Sequence, residues 1–109
     1  MNDLRYVVLR HEGVPEPHFD VMFETSPGSP LTTFRSDTWP VIAESKLTRI
    51  QDHRRAYLEF EGEISNNRGH VTRVASGMCS VARAVPDFIE VHLDAGTELV
   101  VERISHREH

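Results

Sequence analysis

The sequence has little cysteine and no long hydrophobic run. Cys79 is the only cysteine among 109 residues, which excludes a disulfide within the chain and fits a reducing cytoplasm. No apolar stretch approaches the roughly 20 residues that a membrane-spanning helix needs, and the N-terminal residues lack a basic segment followed by an apolar run. We therefore expect a cytoplasmic protein that makes no membrane contact.

Positive charge is also scarce. The chain has 12 Lys and Arg against 17 Asp and Glu, for a net charge of −5. Proteins that bind duplex nucleic acid regardless of sequence usually carry a basic stripe, so that class is disfavoured. An enzyme that handles one nucleic-acid end in a locally basic pocket is not excluded. The length and the 39% hydrophobic content are those of a single globular domain over residues 1–109.

The hydrophobic pattern predicts strands. Leu4–Arg10 contains the apolar run Tyr6–Leu9, and His18–Glu24 alternates between the apolar Phe19, Val21 and Phe23 and the residues on the other face. Val41–Ile50 fits a short helix or an extended segment equally well, and residues 103–109 are expected to fray. Further strand-like runs follow: Leu31–Arg35, His70–Ala75, Met78–Val85, Phe88–Leu93 and Glu98–Ile104. Strands divided by turns every eight to twelve residues or so predict an all-β, mostly antiparallel single-domain β-barrel with at most a short helix or two.

Two histidines and an aspartate flank the first predicted turn. If the flanking strands pair as an antiparallel hairpin, His11 lies opposite His18 with Cβ atoms about 5 Å apart. Asp20 follows on the same face, about 7 Å further along the strand. Such a set suits a divalent metal. The plainer interpretation is a pair of solvated histidines beside a loop, since His-x-Asp often occurs by chance.

Ordered segments along most of the chain carry a family resemblance. They are Tyr6–His11, His18–Asp20, Asp52–His53 with Tyr57, Glu59–Gly62, Arg68–Val71 and Phe88–Ile104. Taken in this order, they resemble the 3′-phosphoesterase domain of bacterial DNA ligase D and its small stand-alone relatives. The resemblance implies a compact β-barrel that trims 3′ ends of DNA or RNA–DNA strands. Its substrates would be terminal 3′-phosphates and 3′-ribonucleotides in DNA repair, with end-joining repair proteins as further partners.

The same resemblance implies roles for individual residues. The metal, typically manganese, would be held by His11, His18 and Asp20. Catalysis would fall to His53 and Tyr57. Positive charge for the phosphate would come from His53 together with the two arginines that follow it, Arg54 and Arg55.

The sequence departs from the family pattern in four places. One extra residue separates the two metal histidines. Met22 stands where the family commonly has an arginine, Leu9 replaces a glutamine, and Gln51 replaces a glutamate. These changes affect the phosphate-binding set and leave the metal set intact. A non-catalytic barrel that binds metal or nucleic acid is therefore an alternative function.

A second enzyme class follows from the ligand pattern alone. His18 and Asp20 with a distant histidine match the two-histidine, one-carboxylate set of non-haem iron oxygenases. His92 would be the third ligand, and Arg103 would bind a 2-oxo acid. This interpretation leaves His11, His53 and Tyr57 without a role and ranks below the phosphoesterase.

Overall fold

The structure is a computed structural model that describes residues 4–41, 47–85, 88–93, 98–102 and 105–106. One 3₁₀ turn, Arg55–Leu58, lies between the fourth and fifth strands. The strands of the described residues are β1 (Leu4–Glu12), β2 (His18–Phe23), β3 (Leu31–Ser36), β4 (Leu47–His53), β5 (Gly62–Glu63), β6 (His70–Val85), β7 (Phe88–Leu93), β8 (Glu98–Glu102) and β9 (Ser105–His106). The predicted all-β class is confirmed.

The strands form one mixed sheet with mainly antiparallel pairing. Their order is β8-β7-β6-β1-β2-β3-β4-β9, and β5 adds to β6 beside this path. The β4–β9 pair alone is parallel among the pairs described. The end strands β8 and β9 do not pair with each other in the described residues, so closure of the sheet into a barrel is not confirmed.

Strand β1 packs on both of its faces, which explains its continuous apolar run. On one face, Tyr6 and Val8 enter a buried cluster with residues such as Phe23 and Phe34. On the other face, Val7 and Leu9 enter a second cluster, whose further members are Met22, Leu31, Leu58 and Val71. Burial of apolar surface on both faces fixes the register, because a shift by one residue would exchange the two sets. The polar site described below continues the second face.

Two features depart from the sequence predictions, and one segment for which two structures were predicted takes one of them. The ambiguous segment is extended where it is described, since β4 begins at Leu47; residues 42–46 lie outside the described part. The two strands predicted on either side of residues 76–77 are one strand, β6, because Ser76 and Gly77 pair with β1. In the tail that was expected to fray, Ser105 and His106 pair with β4. In the part of the chain that is described, no helix has the length and apolarity needed to cross a membrane.

Candidate metal centre

The hairpin of β1 and β2 brings the three predicted metal ligands together. His11 and His18 are direct partners in its register, as the sequence predicts. One ligand atom from each of His11, His18 and Asp20 lies within 4.8 Å of the other two. The side chains of His18 and Asp20 are buried, and that of His11 is 16% exposed. This group can hold a divalent metal.

Each histidine is oriented by a backbone carbonyl. The Nδ1–H of His18 donates to the carbonyl of Glu16 at 2.8 Å. The Nε2–H of His11 donates to the carbonyl of Arg68 at 2.7 Å. A carbonyl only accepts, so these bonds place a proton on the outer ring nitrogen, and in the neutral ring the inner nitrogen carries the lone pair that a metal needs. Such outer hydrogen bonds are typical of metal-binding histidines, because they fix the ring and its tautomer.

The inner atoms of the group lack hydrogen bonds in the described structure. Nε2 of His18 and Oδ1 of Asp20 are buried without a partner, and they lie 3.3 Å apart without hydrogen-bonding geometry. Nδ1 of His11 is 3.6 Å from Oδ2 of Asp20. Two facing lone-pair acceptors would repel each other, and each unsatisfied buried polar atom costs about 1–3 kcal/mol. A divalent cation between them would satisfy these atoms, so the residues fit a metal.

The carbonyl that orients His11 depends on a glycine. Gly69 has φ +82°, and a Cβ at this position would lie 2.1 Å from the carbonyl oxygen of Glu12. Glycine therefore allows the loop before β6 to cross the end of β1 at van der Waals contact. This crossing brings the carbonyl of Arg68 to the ring of His11.

A cavity of about 300 Å³ joins the metal group to the second predicted set. It is lined by Leu9, His11, Asp20, Met22, Arg35, Ile50, Gln51, His53, Tyr57, Ile64 and Val71. His53 ends β4, and its Nδ1–H donates to the carbonyl of Gln51 at 3.0 Å, which leaves Nε2 for other partners. Tyr57 is held by the 3₁₀ turn, which Leu58 anchors in the core. The two rings meet edge to face, with centroids 5.5 Å apart.

Arg35 is a cavity residue that the sequence did not single out. It lies opposite Asp20 in the β2–β3 register, and its Nε is buried without a hydrogen-bond partner in the described structure. No ion pair of this side chain is found among the described residues. Its cationic group is therefore available to an anion in the cavity. The sequence carried no direct signal, because its orientation depends on which strand pairs with β3.

The two arginines that the resemblance assigned to phosphate binding lie elsewhere. Arg55 donates from Nη1 to Oε2 of Glu24 at 2.5 Å and to the carbonyl of Ser29 at 2.8 Å. Burial alone would raise the pKa of the Glu24 carboxyl, but the Arg55 hydrogen bond and two backbone N–H donors outweigh it and lower that pKa. Arg54 lines a neighbouring cleft. Neither arginine lines the cavity beside the metal group.

The proposed iron-oxygenase ligand His92 is far from the metal group. It pairs with Ser80 of β6, whereas His11 pairs with Val71 of the same strand. The nine residues from Val71 to Ser80 correspond to about 30 Å of strand. Nε2 of His92 lies 2.7 Å from a carboxylate oxygen of Glu90. The interpretation of His92 as the third ligand is therefore wrong, and Arg103 lies outside the described residues.

The three positions that differ from the pattern of the phosphoesterase family that the sequence resembles all line this cavity. Met22 is fully buried and packs in the second core cluster, as does Leu9. Gln51 contributes a side chain that is neutral where the family has a carboxylate. The departures therefore change the walls around the metal group and not the metal group itself.

No protein-family model matches the chain, and no curated protein matches its sequence.

Proposed function

We propose that this protein is a metal-dependent phosphoesterase that acts on the 3′ ends of nucleic acid, removing a 3′-phosphate or a 3′-ribonucleotide. One observation carries the proposal. A single cavity is lined by two members of the metal group, His11 and Asp20, and by an imidazole, a phenol and a guanidinium that forms no ion pair among the described residues, supplied by His53, Tyr57 and Arg35. The ordered resemblance to the ligase D phosphoesterase domain supports the same reaction class.

The metal would be held by His11, His18 and Asp20, and we propose manganese. Two imidazoles and a carboxylate form a borderline ligand set that accepts Mn²⁺ as well as other first-row cations. The ion would supply Lewis-acid polarisation of a phosphoryl oxygen and a lowered pKa for water bound to it.

The protein's own groups have separate roles in this proposal. Arg35 presents a planar guanidinium that can bind two phosphate oxygens at once. Nε2 of His53 is the ring nitrogen left free by the bond to Gln51. In the imidazolium form it would carry a proton that passes to the 3′ oxygen as the P–O3′ bond breaks, while a water attacks the phosphorus and a proton from that water restores the imidazolium. The hydroxyl of Tyr57 donates a hydrogen bond to a phosphoryl oxygen where negative charge develops.

A strand end fits this protein better than an internal phosphate of a duplex. The cavity is about 300 Å³, enough for one phosphate and part of a sugar. The net charge of −5 gives no support for binding along a duplex, whereas a single end needs only local positive charge. We further propose that the protein acts in the cytoplasm beside end-joining repair proteins.

A direct assay tests this function. Metal-free protein is supplied with Mn²⁺ and a labelled primer–template that ends in a 3′-phosphate or a 3′-ribonucleotide. We expect loss of the end group in the wild type, and we expect this loss to be slower by about 10²-fold or more in His53→Ala. If the wild type leaves every 3′ end unchanged with Mn²⁺ bound, the proposed function is wrong.

A non-catalytic binding barrel is the second candidate. The observation that favours it is the presence of Leu9, Met22 and Gln51 on the cavity wall, where the family has polar or charged groups. This candidate predicts that the protein binds Mn²⁺ and a 3′-phosphorylated strand and releases the strand unchanged.

A further inference from the structure

A second cleft adjoins the metal cavity. Its volume is about 250 Å³. Tyr57 and Ile64 line both spaces, so the two lie on either side of these side chains. The remaining lining residues are Arg54, Ala56, Phe60, Glu63, Ser65 and Arg68. None of these six belongs to the metal group or to the cavity described above.

The cleft presents an exposed aromatic ring. Phe60 is 37% exposed, although a phenylalanine next to a packed core would usually be covered. Its ring meets that of Tyr57 edge to face, with centroids 5.8 Å apart and planes at 84°. The neighbouring Gly62 has no side chain, and a Cβ there would lie 4.0 Å from the Phe60 ring. An open aromatic face beside a cavity is the kind of surface on which a nucleobase stacks.

The charge of the cleft suits a nucleic-acid backbone. Two arginines line it, against one acidic residue, Glu63. The side chain of Arg54 has no ion pair or hydrogen bond among the described residues. Arg68 is held in place by bonds from Nε and Nη2 to the carbonyl and hydroxyl of Ser65, at 2.9 and 3.1 Å. The same residue provides the carbonyl that orients His11, so the cleft wall and the metal centre share one loop.

We propose that this cleft binds the terminal nucleoside of a single-stranded 3′ end. The base stacks on Phe60, and Arg54 and Arg68 bind the phosphate on its 5′ side. The 3′ group of that nucleoside then points across Tyr57 into the metal cavity. Stacking on a bare ring does not distinguish among bases, so binding is largely independent of sequence. The orientation of the strand rests on the proposed function, whereas the stacking does not.

The test uses a four-nucleotide DNA whose 3′-terminal base is 2-aminopurine and which ends in a 3′-hydroxyl. This end is not hydrolysed, so binding is read from fluorescence quenching, with and without Mn²⁺. We expect the wild type to quench the probe and Phe60→Leu to raise its Kd at least about fivefold, the lower end of what base–aromatic stacking contributes. Arg54→Gln should also weaken binding and reduce its salt dependence. Val74→Ala is the matched control, because Val74 is equally exposed at 37% on β6.

The outcomes separate this proposal from the proposed function. If the wild type quenches the probe but hydrolyses no 3′ end, the cleft assignment is supported and the proposed phosphoesterase function is wrong. If the wild type hydrolyses 3′ ends, but Phe60→Leu and Arg54→Gln bind the probe with the same Kd as the wild type, the cleft assignment is wrong. An equal loss in Val74→Ala would also overturn it, because the effect would then not be specific to the cleft.

Discussion

Arg35 on β3 lies directly opposite Asp20 on β2, and both side chains line the same cavity. The two form no ion pair in the described structure. The carboxylate therefore remains available to a cation, and the guanidinium remains available to an anion. A cation site and an anion site side by side are what a phosphoester bound to a metal requires. This relationship also places positive charge in the cavity although Met22 stands where the family has an arginine.

Arg35→Gln is expected to slow removal of a 3′-phosphate by about 10²–10³-fold, because one preorganised charged contact to the phosphate is lost. Arg35→Lys keeps the charge and loses the planar fork, so its rate should fall between those of wild type and Arg35→Gln. Both variants should bind Mn²⁺ as tightly as the wild type or more tightly. A fall in Mn²⁺ affinity that matches the fall in rate would show that Arg35 supports the metal group and does not bind phosphate.

His53→Ala and His92→Ala should differ in their effect on hydrolysis. His53 lines the cavity, and its replacement should slow hydrolysis while Mn²⁺ affinity stays near that of the wild type. His92 lies about 30 Å of strand away, so His92→Ala should change neither quantity. Steady-state rates and Mn²⁺ titrations of the three proteins check this pair. Loss of metal binding in His92→Ala alone would revive the two-histidine, one-carboxylate oxygenase set.

Gly69→Ala should disturb the metal centre as well as the fold. Its Cβ would meet the carbonyl of Glu12 at 2.1 Å, so the loop that carries the Arg68 carbonyl must move. Gly28→Ala is the matched control, because Gly28 has a similar φ of +80° with no atom within 4 Å of the added Cβ. Gly28→Ala should lower the free energy of unfolding only by the strain of an alanine in the left-handed conformation, about 1–2 kcal/mol. Urea unfolding should show a larger loss of stability in Gly69→Ala than in Gly28→Ala. Mn²⁺ titration should show a loss of metal affinity in Gly69→Ala and none in Gly28→Ala.

The ion pair between Arg55 and Glu24 makes stability depend on pH. Interactions with Arg55 and backbone N–H groups lower the pKa of Glu24 below its ordinary value of 4.5 in the folded protein. A lowered folded pKa contributes stability above the unfolded value, and this contribution is lost as the pH falls through the folded pKa. Arg55→Gln should therefore cost about 1–3 kcal/mol at neutral pH. In urea unfolding, its difference from wild type should shrink at a pH well below 4.5. A difference that is constant with pH would exclude this cause.

The hairpin and its ligands could be predicted because their information is local. Alternation in β2 assigns His18 and Asp20 to one face, and a short turn determines which residue of β1 lies opposite His18. The cavity beside the metal group could not be predicted in this way, because it depends on tertiary packing. Thr33 and Arg35 alternate with Phe34 in sequence, but the face that becomes the cavity depends on pairing with β2 and β4.

Long-range pairing also explains where the sequence predictions differ from the structure. Ser76 and Gly77 suggested a break between two strands, yet their backbone groups pair with Val7 and Tyr6, which continues β6. Arg55 was expected, from the family resemblance, to supply positive charge for the phosphate. A buried carboxylate, Glu24, stands 31 residues away in sequence and attracts it instead. Neither the pairing of Ser76 and Gly77 with β1 nor that of Arg55 with Glu24 can be predicted from a local sequence pattern.

The central claim is that one metal ion held by His11, His18 and Asp20 serves hydrolysis at a 3′ end. The most direct test titrates Mn²⁺ into metal-free wild type and measures bound metal and the rate of 3′-phosphate release on the same samples. We predict that the rate rises with occupancy and stops rising at one ion per chain, and that His18→Ala neither fills this site nor releases phosphate. Release by His18→Ala at the rate of the wild type, or a fully loaded wild type that releases none, would contradict the account.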